Sequence, residues 1–235
     1  MRLAVIPARG GSKRIPRKNL RPFHGRPILA YSIAAALDSR LFDRVIVSTD
    51  DDEIAETAVA HGAQVPFRRP ASLADDHTGT NAVARHAAAW FAGQGLAPAQ
   101  VCCLYATAPF VTPEDLRRAH AMLGPNIDFV FSATHFDFPV QRALRVDEAG
   151  RVAPMFPESI RMRSQDLPEA IHDAGQFYWG TAEAFAAHDI PFEARALACL
   201  LPRERVQDID TLEDWRRAER LYQLWKEAAC ESPSA

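Results

Sequence analysis

Leu3-Ala4-Val5-Ile6-Pro7-Ala8-Arg9-Gly10-Gly11-Ser12-Lys13-Arg14-Ile15-Pro16-Arg17-Lys18-Asn19 joins a short apolar run to a basic, glycine-containing loop. Residues 3–6 read as a buried strand, and the loop that follows carries five cations: Arg9, Lys13, Arg14, Arg17 and Lys18. Glycines let a backbone approach a ligand closely. Consecutive N–H groups in such a turn make a concave anion site, to which Lys and Arg add charge and forked donors. The loop lacks the Gly-x-Gly-x-x-Gly spacing of a dinucleotide fingerprint, and no Gly-Lys-Ser/Thr follows as in a Walker loop. It suits a polyanion such as a nucleotide triphosphate.

Around this stretch the chain alternates. The spacing predicts a helix over 28–39, a strand at 45–47, and a helix to about His61 opened by a capping-box pattern, Asp50 with Glu53. An irregular segment over 67–80 follows, then a helix at 81–91 and a strand at 101–105. Thr112-Pro113 opens a helix to about Leu123, and residues 129–133 form the next strand. This rhythm implies an α/β fold, a mostly parallel, Rossmann-like sheet with helices on both faces, which the family resemblance given below makes a nucleotidyltransferase sheet. The rhythm breaks at 136–172, where 143–146, a turn at 147–150 and 151–155 predict an inserted β-hairpin. Strands at 177–179 and 197–201 return, with a short helix capped by Thr181. A second capping-box pattern, Asp210 with Glu213, opens the last helix at 212–228. The tail at 231–235 reads as disordered. All 235 residues are expected to form one domain carrying the insertion.

Bulk chemistry narrows the function. The formal net charge is -3, which argues against a general nucleic-acid binder, so the basic loop suits a small, highly anionic ligand. No run of about 18 apolar residues implies a membrane span, and no signal peptide is visible. Cys102, Cys103, Cys199 and Cys230 have neither zinc nor disulfide spacing, so reduced thiols in a cytoplasmic protein are expected.

In an open parallel sheet ligands sit beyond the C-terminal strand ends. A triphosphate normally arrives with Mg²⁺, which takes one or two carboxylates plus phosphate oxygens and water. Two acidic sites compete for it. Asp50-Asp51-Asp52 reads most simply as a helix N-terminus. In Asp208-Ile209-Asp210 an extended backbone points both carboxylates to one side, although Asp210 could instead cap the last helix. His172-Asp173 suggests a base and its orienter only weakly, because strand neighbours face opposite ways. A nucleotide-sugar glycosyltransferase and a catalytically silent nucleotide-binding regulator remain as other readings of the same pattern.

The residues from Ile6 to Lys13, with Pro16, Lys18 and Asn19, resemble the N-terminal signature of the CMP-sialic acid synthetases, cytidylyltransferases that activate nonulosonic acids. The resemblance continues through Val47-Ser48-Thr49-Asp50, Ile54-Ala55, Arg69-Pro70, Thr107 with Pro109, Gln165-Asp166-Leu167-Pro168 and Asp208-Ile209-Asp210-Thr211. Leu104 to Phe110, Phe138-Pro139 and His172 to Gly180 are most similar to the branch acting on pseudaminic acid; N-acetylneuraminate and legionaminate are the alternatives within the family. The resemblance implies attack of a sugar acid's anomeric hydroxyl on the α-phosphorus of CTP, giving a CMP-sugar and pyrophosphate. It implies that Arg9, Ser12 and Lys13 hold the triphosphate, with Ala8, Gly10 and Gly11 in the same loop and backbone donors at the glycines. Asn19 and Arg69 are implied for the cytidine, Thr80 as a nucleotide-side hydroxyl, and Asp208 and Asp210 for Mg²⁺. Arg163 and Tyr178 are implied near the sugar, Arg163 suiting its carboxylate. Sialic acid enzymes usually carry Gln-Pro-Thr-Ser-Pro where this chain has Tyr105-Ala106-Thr107-Ala108-Pro109. Tyr105 and the segment from Gln176 to Trp179 therefore imply a less hydroxylated sugar. The family also implies a homodimer formed through the insertion.

Overall fold

The computed structural model describes residues 1–75 and 78–231, with backbone only for 229–231. Asp76 and His77 of the irregular segment, the Cys230 side chain and the expected tail at 232–235 lie outside that description. In chain order the elements are β1 (Arg2–Pro7), β2 (Pro22–Phe23), β3 (Arg26–Pro27), α1 (Leu29–Ser39), β4 (Arg44–Ser48), α2 (Asp52–Ala60), α3 (Thr80–Gly93) and β5 (Gln100–Leu104). They continue as α4 (Pro113–Met122), β6 (Phe129–His135), β7 (Leu144–Val146), β8 (Val152–Pro154), β9 (Ile171–Thr181), α5 (Ala182–Ala187), β10 (Ala196–Leu200) and α6 (Leu212–Glu231).

Strand alternation explains the layers. Side chains on a strand point to opposite faces in turn. On β1, Ala4 and Ile6 join Val45, Val47, Cys102 and Leu104 in one core, covered by Leu29, Ile33, Ile54 and Leu116 from α1, α2 and α4. Leu3 and Val5 join Ile46, Val101 and Cys103 in the other, covered by Ala84, Ala87, Phe91 and Phe185 from α3 and α5. Helices thus pack on both faces, and a strand buried on both sides is apolar at every position, as 3–6 and 101–104 are.

The six-stranded sheet has the order β10-β6-β9-β5-β1-β4. β1 runs parallel to both β4 and β5, and β10 parallel to β6. β9 is antiparallel to β5 and β6 between them. It is far longer than the three residues expected at 177–179, and its first two residues belong to what the sequence assigns to the insertion. Its pairing is irregular: Phe131 faces Tyr178 and Ala133 faces Asp173, so residues 174–177 oppose Ser132 alone. Gly175 takes φ +60 in this bulge, and Ser132 Oγ accepts the N–H groups of Gln176 and Phe177, each at 3.1 Å. The inserted hairpin forms as expected from β7 and β8, with Leu144 opposite Pro154.

Two helix starts differ from expectation by one residue. Asp51, not Asp50, caps α2, its carboxylate accepting the Ile54 N–H at 2.9 Å. Thr211, not Asp210, caps α6: Thr211 Oγ1 accepts the Asp214 N–H at 3.2 Å while Asp214 accepts the Thr211 N–H at 2.8 Å. Both displaced carboxylates are engaged elsewhere, as described below. α4 begins as expected, with Thr112 and Asp115 forming a reciprocal capping box.

Asp115 also anchors the approach to Asp208. Its carboxylate takes both Nη atoms of Arg205, one at 3.0 Å, in a pair whose side chains are 4% and 12% exposed. Burial pushes the Asp115 carboxyl up, but hydrogen bonds from Arg205 and Thr112 outweigh it and hold it below the ordinary carboxylate value. Breaking a buried pair on one side costs about 3–5 kcal/mol, so Asp115→Asn is expected to lose stability of that order in urea unfolding at pH 7. A carboxyl depressed in the fold contributes above its unfolded value of about 4 and loses that contribution in acid. The gap between wild type and variant is therefore expected to close below about pH 4.

Candidate functional site

The C-terminal ends of β1, β4 and β5 share one edge of the sheet, where the basic loop emerges. Inside the loop Ile15 is fully buried, in a cluster with Phe23, Ile28, Tyr31, Phe110, Ile209, Trp215 and Tyr222. Burying Ile15 and Ile209 contributes roughly 1.5–3 kcal/mol each. One apolar cluster thereby pins the basic loop and the Asp208-Ile209-Asp210 segment together.

Polar contacts fix the loop's path. Asn19 is buried and donates Nδ2 to the Arg9 carbonyl at 2.9 Å. Gly10 donates its N–H to Asp50 Oδ1 at 3.0 Å, which is what takes Asp50 away from capping α2. Arg17, held at φ 56, donates to Asp51 at 2.6 Å and pairs with Glu53. A Cβ on Gly10 would sit 2.6 Å from Asp51 Oδ2, whereas one on Gly11 would meet nothing within 4 Å. On the other flank Lys18 Nζ donates to the Ile209 carbonyl at 2.7 Å. Asp210 receives Arg14 at 2.9 Å and Lys18 at 3.6 Å. Asp210 therefore faces the basic loop and does not cap α6.

Beside the loop lies an open cleft lined by Arg9, Ser12, Lys18, Asn19, Arg69, Thr80 and Tyr105 among others. Arg9 donates to the Asp75 carbonyl at 2.7 Å. Arg69 is buried, bonded through Nε to Ser48 Oγ at 3.2 Å and through Nη2 to the Ser48 carbonyl. Burial lowers its guanidinium to about 10, against the opposing charge of Asp50; it stays cationic at neutral pH. Ala8 is buried at the loop's root, its N–H on the Ser48 carbonyl at 3.0 Å. Lys13 and Gly11 stand exposed on the loop. Burial and the neighbouring Asp210 charge raise the Asp208 carboxyl.

The structure thus gathers Ala8, Arg9, Gly10, Gly11, Ser12, Lys13, Asn19, Arg69, Thr80, Tyr105, Asp208 and Asp210 around one edge. Gln176 adjoins it from β9: its carbonyl accepts the Tyr105 N–H at 2.8 Å, and its buried Nε2 donates to the Arg205 carbonyl at 2.6 Å. Tyr178 packs against Tyr105 with ring centroids 5.8 Å apart. Arg163 is not brought to the cleft. It lies exposed on the insertion, forked onto Asp166 at 2.7 and 3.2 Å. Lys18 as the bridge to Ile209 and Asp173 as the partner of Tyr178 were not singled out by the sequence reading. Lys18 stood within the motif; Asp173 had only its neighbour His172 as a signal.

Two carboxylates one residue apart, beside a polyanion loop, are an oxygen-only donor set of the kind Mg²⁺ takes together with phosphate and water. Among the described residues no group of three or more His, Cys, Asp or Glu could hold a metal. Phosphate oxygens would complete the set, which therefore fits a metal that arrives with its nucleotide.

A sheet of this order, with a basic loop after β1 and Asp210 paired to it, has the nucleotidyltransferase fold. The CMP:2-keto-3-deoxy-manno-octonic acid synthetase structure complexed with CTP superposes with a TM-score of 0.68, covering 95% of this chain and 98% of that one at 16% identity. Residues 3–231 match the cytidylyltransferase family, and the chain belongs to it. It is 44% identical over 97% of its length to the pseudaminic acid cytidylyltransferase of Campylobacter jejuni subsp. jejuni, covering 98% of that protein. It is 33% identical over 96% of its length to the CMP-N,N'-diacetyllegionaminic acid synthase of Legionella pneumophila subsp. pneumophila, again covering 98%.

The Gly10 contact gives a paired test. Overpacking costs about 1–3 kcal/mol. Gly10→Ala, which drives a methyl into Asp51, is expected to lose stability in that range in urea unfolding. Gly11→Ala, facing open space, is expected to stay within about 0.5 kcal/mol of wild type.

Proposed function

We propose that this chain transfers CMP from CTP to the anomeric hydroxyl of a nonulosonic acid, pseudaminic acid above the others, and releases pyrophosphate. The observation that carries the reading is the joining of anion loop and acidic pair: Lys18 and Arg14 bind Asp210 from within the loop. Charge for a triphosphate and ligands for its metal are then one unit. The 44% identity over nearly the whole of a pseudaminic acid cytidylyltransferase supports the choice of sugar.

In this reading Arg9, Ser12 and Lys13 hold the triphosphate, Gly11 adds an open backbone donor, and Gly10 and Ala8 keep the loop's path. Arg69, Asn19 and Thr80 form the nucleoside side. Asp208 and Asp210 hold Mg²⁺, which neutralises phosphate charge when bound. The sugar hydroxyl attacks the α-phosphorus, and the bond to the bridging oxygen breaks with its electron pair leaving on pyrophosphate. Cations fixed by the fold stabilise that charge without reorganising. Tyr105, Gln176 and Tyr178 form the sugar side. Arg163, held away from the cleft on the insertion by Asp166, has no part in this reading.

The whole chain acts as one domain, and two copies pair through the insertion. Phe138, Leu144, Val146, Val152 and Met155, each more than half exposed, supply its apolar surface. No helix among the described residues is long and apolar enough to cross a membrane. Free, buried Cys102, Cys103 and Cys199 suit the reducing cytoplasm, where CTP is made.

Pyrophosphate release, measured in parallel with pseudaminic, legionaminic, N-acetylneuraminic and 3-deoxy-manno-octulosonic acids, is expected to be fastest with the first. Release with none of them would end the proposal. Lys13→Ala is expected to lower kcat about 10²–10³-fold, the usual effect of one lost preorganised donor. Asp210→Asn is expected to raise the Mg²⁺ concentration needed for half-maximal rate. An unchanged Mg²⁺ titration in a folded variant would remove Asp210 from the metal site.

A further inference from the structure

Arg69 is a buried cation with one edge answered and the other open. It is 6% exposed, yet it lines the cleft. Residues 64–69 run along the outer edge of β4, with Gln64 opposite Ile46 and Arg68 opposite Thr49. The Arg69 N–H donates to the Thr49 carbonyl at 2.8 Å, and the side chain folds back onto Ser48, the last residue of β4. Ser48 is fully buried and meets the guanidinium twice. Its Oγ accepts Nε at 3.2 Å, and its carbonyl accepts Nη2. The same carbonyl accepts the Ala8 N–H at the root of the basic loop. One residue therefore sets the plane of Arg69 and its place relative to that loop.

The shape of a guanidinium fixes what is left. It is flat and carries N–H donors on every nitrogen. Nε and Nη2 share one side of it, and Ser48 takes that side. A fork of two parallel donors, one on each Nη, remains at the far end. Among the described residues Nη1 has no hydrogen-bond partner. Burying a cation is costly unless its donors are met, so the open end calls for acceptors that a ligand brings. Pro7, Leu73 and Val83 line the same cleft. Apolar walls of this kind suit a flat base better than a phosphate. A planar fork between them calls for two acceptors side by side in one plane. Cytosine presents that pair at O2 and N3. Uracil does not, because its N3 carries a proton and would meet the fork donor to donor, and a site built on such bonds rejects the analogue that cannot make them.

We propose that Ser48 is the positioning residue for base choice, holding Arg69 in the one plane that makes the site take CTP over UTP. This rests on the assignment of Arg69 to the nucleoside side made above. Ser48 touches no substrate. Without its hydroxyl the guanidinium keeps a single tether to this residue, at Nη2, and a buried Nε loses its acceptor. A guanidinium free to pivot turns to a lone uracil carbonyl as readily as to the cytosine pair. The loss therefore falls on CTP more than on UTP.

Calorimetric titration of the full chain with CTP and with UTP, with Mg²⁺ and without a sugar acid, tests this. Wild type is expected to prefer CTP. Equal affinities in wild type would overturn the nucleoside assignment of Arg69, and the role of Ser48 with it. Ser48→Ala is expected to bind CTP about tenfold more weakly, the lower end for a lost hydrogen bond to a charged group, while UTP changes by less than about twofold. In turnover the loss is expected in KM for CTP, with kcat at saturating CTP unchanged. Arg69→Lys has no fork, so adding Ser48→Ala to it is expected to weaken CTP no further. Equal losses for CTP and UTP in Ser48→Ala, or losses that add in the double variant, would overturn the positioning role and leave Ser48 a structural residue of β4. Inorganic tripolyphosphate controls for the phosphates. Its affinity is expected to be the same in wild type and Ser48→Ala; a loss equal to that of CTP would put the fork on the triphosphate and overturn the proposal.

Discussion

The site depends on two isoleucines that share one apolar cluster. Ile15 comes from the basic loop and Ile209 from between two aspartates, and both are fully buried. A loop with five cations repels itself and has little reason to hold one shape. Sinking Ile15 gives it one, and sinking Ile209 beside it sets Asp208 and Asp210 on the loop's flank. Electrostatics then acts at short range: Lys18 closes onto the Ile209 carbonyl, and Arg14 onto Asp210. The apolar contact comes first in the causal order, because exposed ion pairs alone stabilise by no more than about 1 kcal/mol.

The opposite wall is built by a different device. β9 runs against its neighbours, so its beginning lies by the edge where β1 and β5 end. Gln176 and Asp173 reach that edge for this reason. The buried Asp115–Arg205 pair ties the segment before Asp208 to α4, and Gln176 reaches the same Arg205 through its carbonyl. The basic loop and the acidic pair, pinned together through Ile15 and Ile209, thus meet at this edge a strand that is braced independently through Arg205.

Most of this was legible in the sequence where one rule governs one residue. Runs 3–6 and 101–104 are apolar throughout because helices cover both faces, and that reads directly as a parallel core. The helix starts were harder. At residues 50–53 and 210–214 several side chains could cap, and local pattern cannot say which carboxylate is claimed from afar. Gly10 claims Asp50, and Arg14 claims Asp210. β9 was read as three residues because its first half is polar and carries Gly175. Its pairing comes from β6, forty residues earlier, and leaves no periodic trace. Arg163 shows the converse: a partner three residues away, Asp166, holds it on the insertion.

The distance along the chain between the two halves of the site has a consequence for biosynthesis. Lys18 and Ile209 are separated by 191 positions. The N-terminal strands leave the ribosome early and can begin to pack, but the loop between them gains its contacts with Ile209 and Asp210 only once those residues have been made. A chain stopped before Asp208 would carry the cations without these two aspartates and with only the Phe23, Ile28, Tyr31 and Phe110 side of the seat for Ile15. Pairing of the loop with Asp210 is therefore a late event in the making of this chain, reached only after the sheet strands that flank the loop have formed.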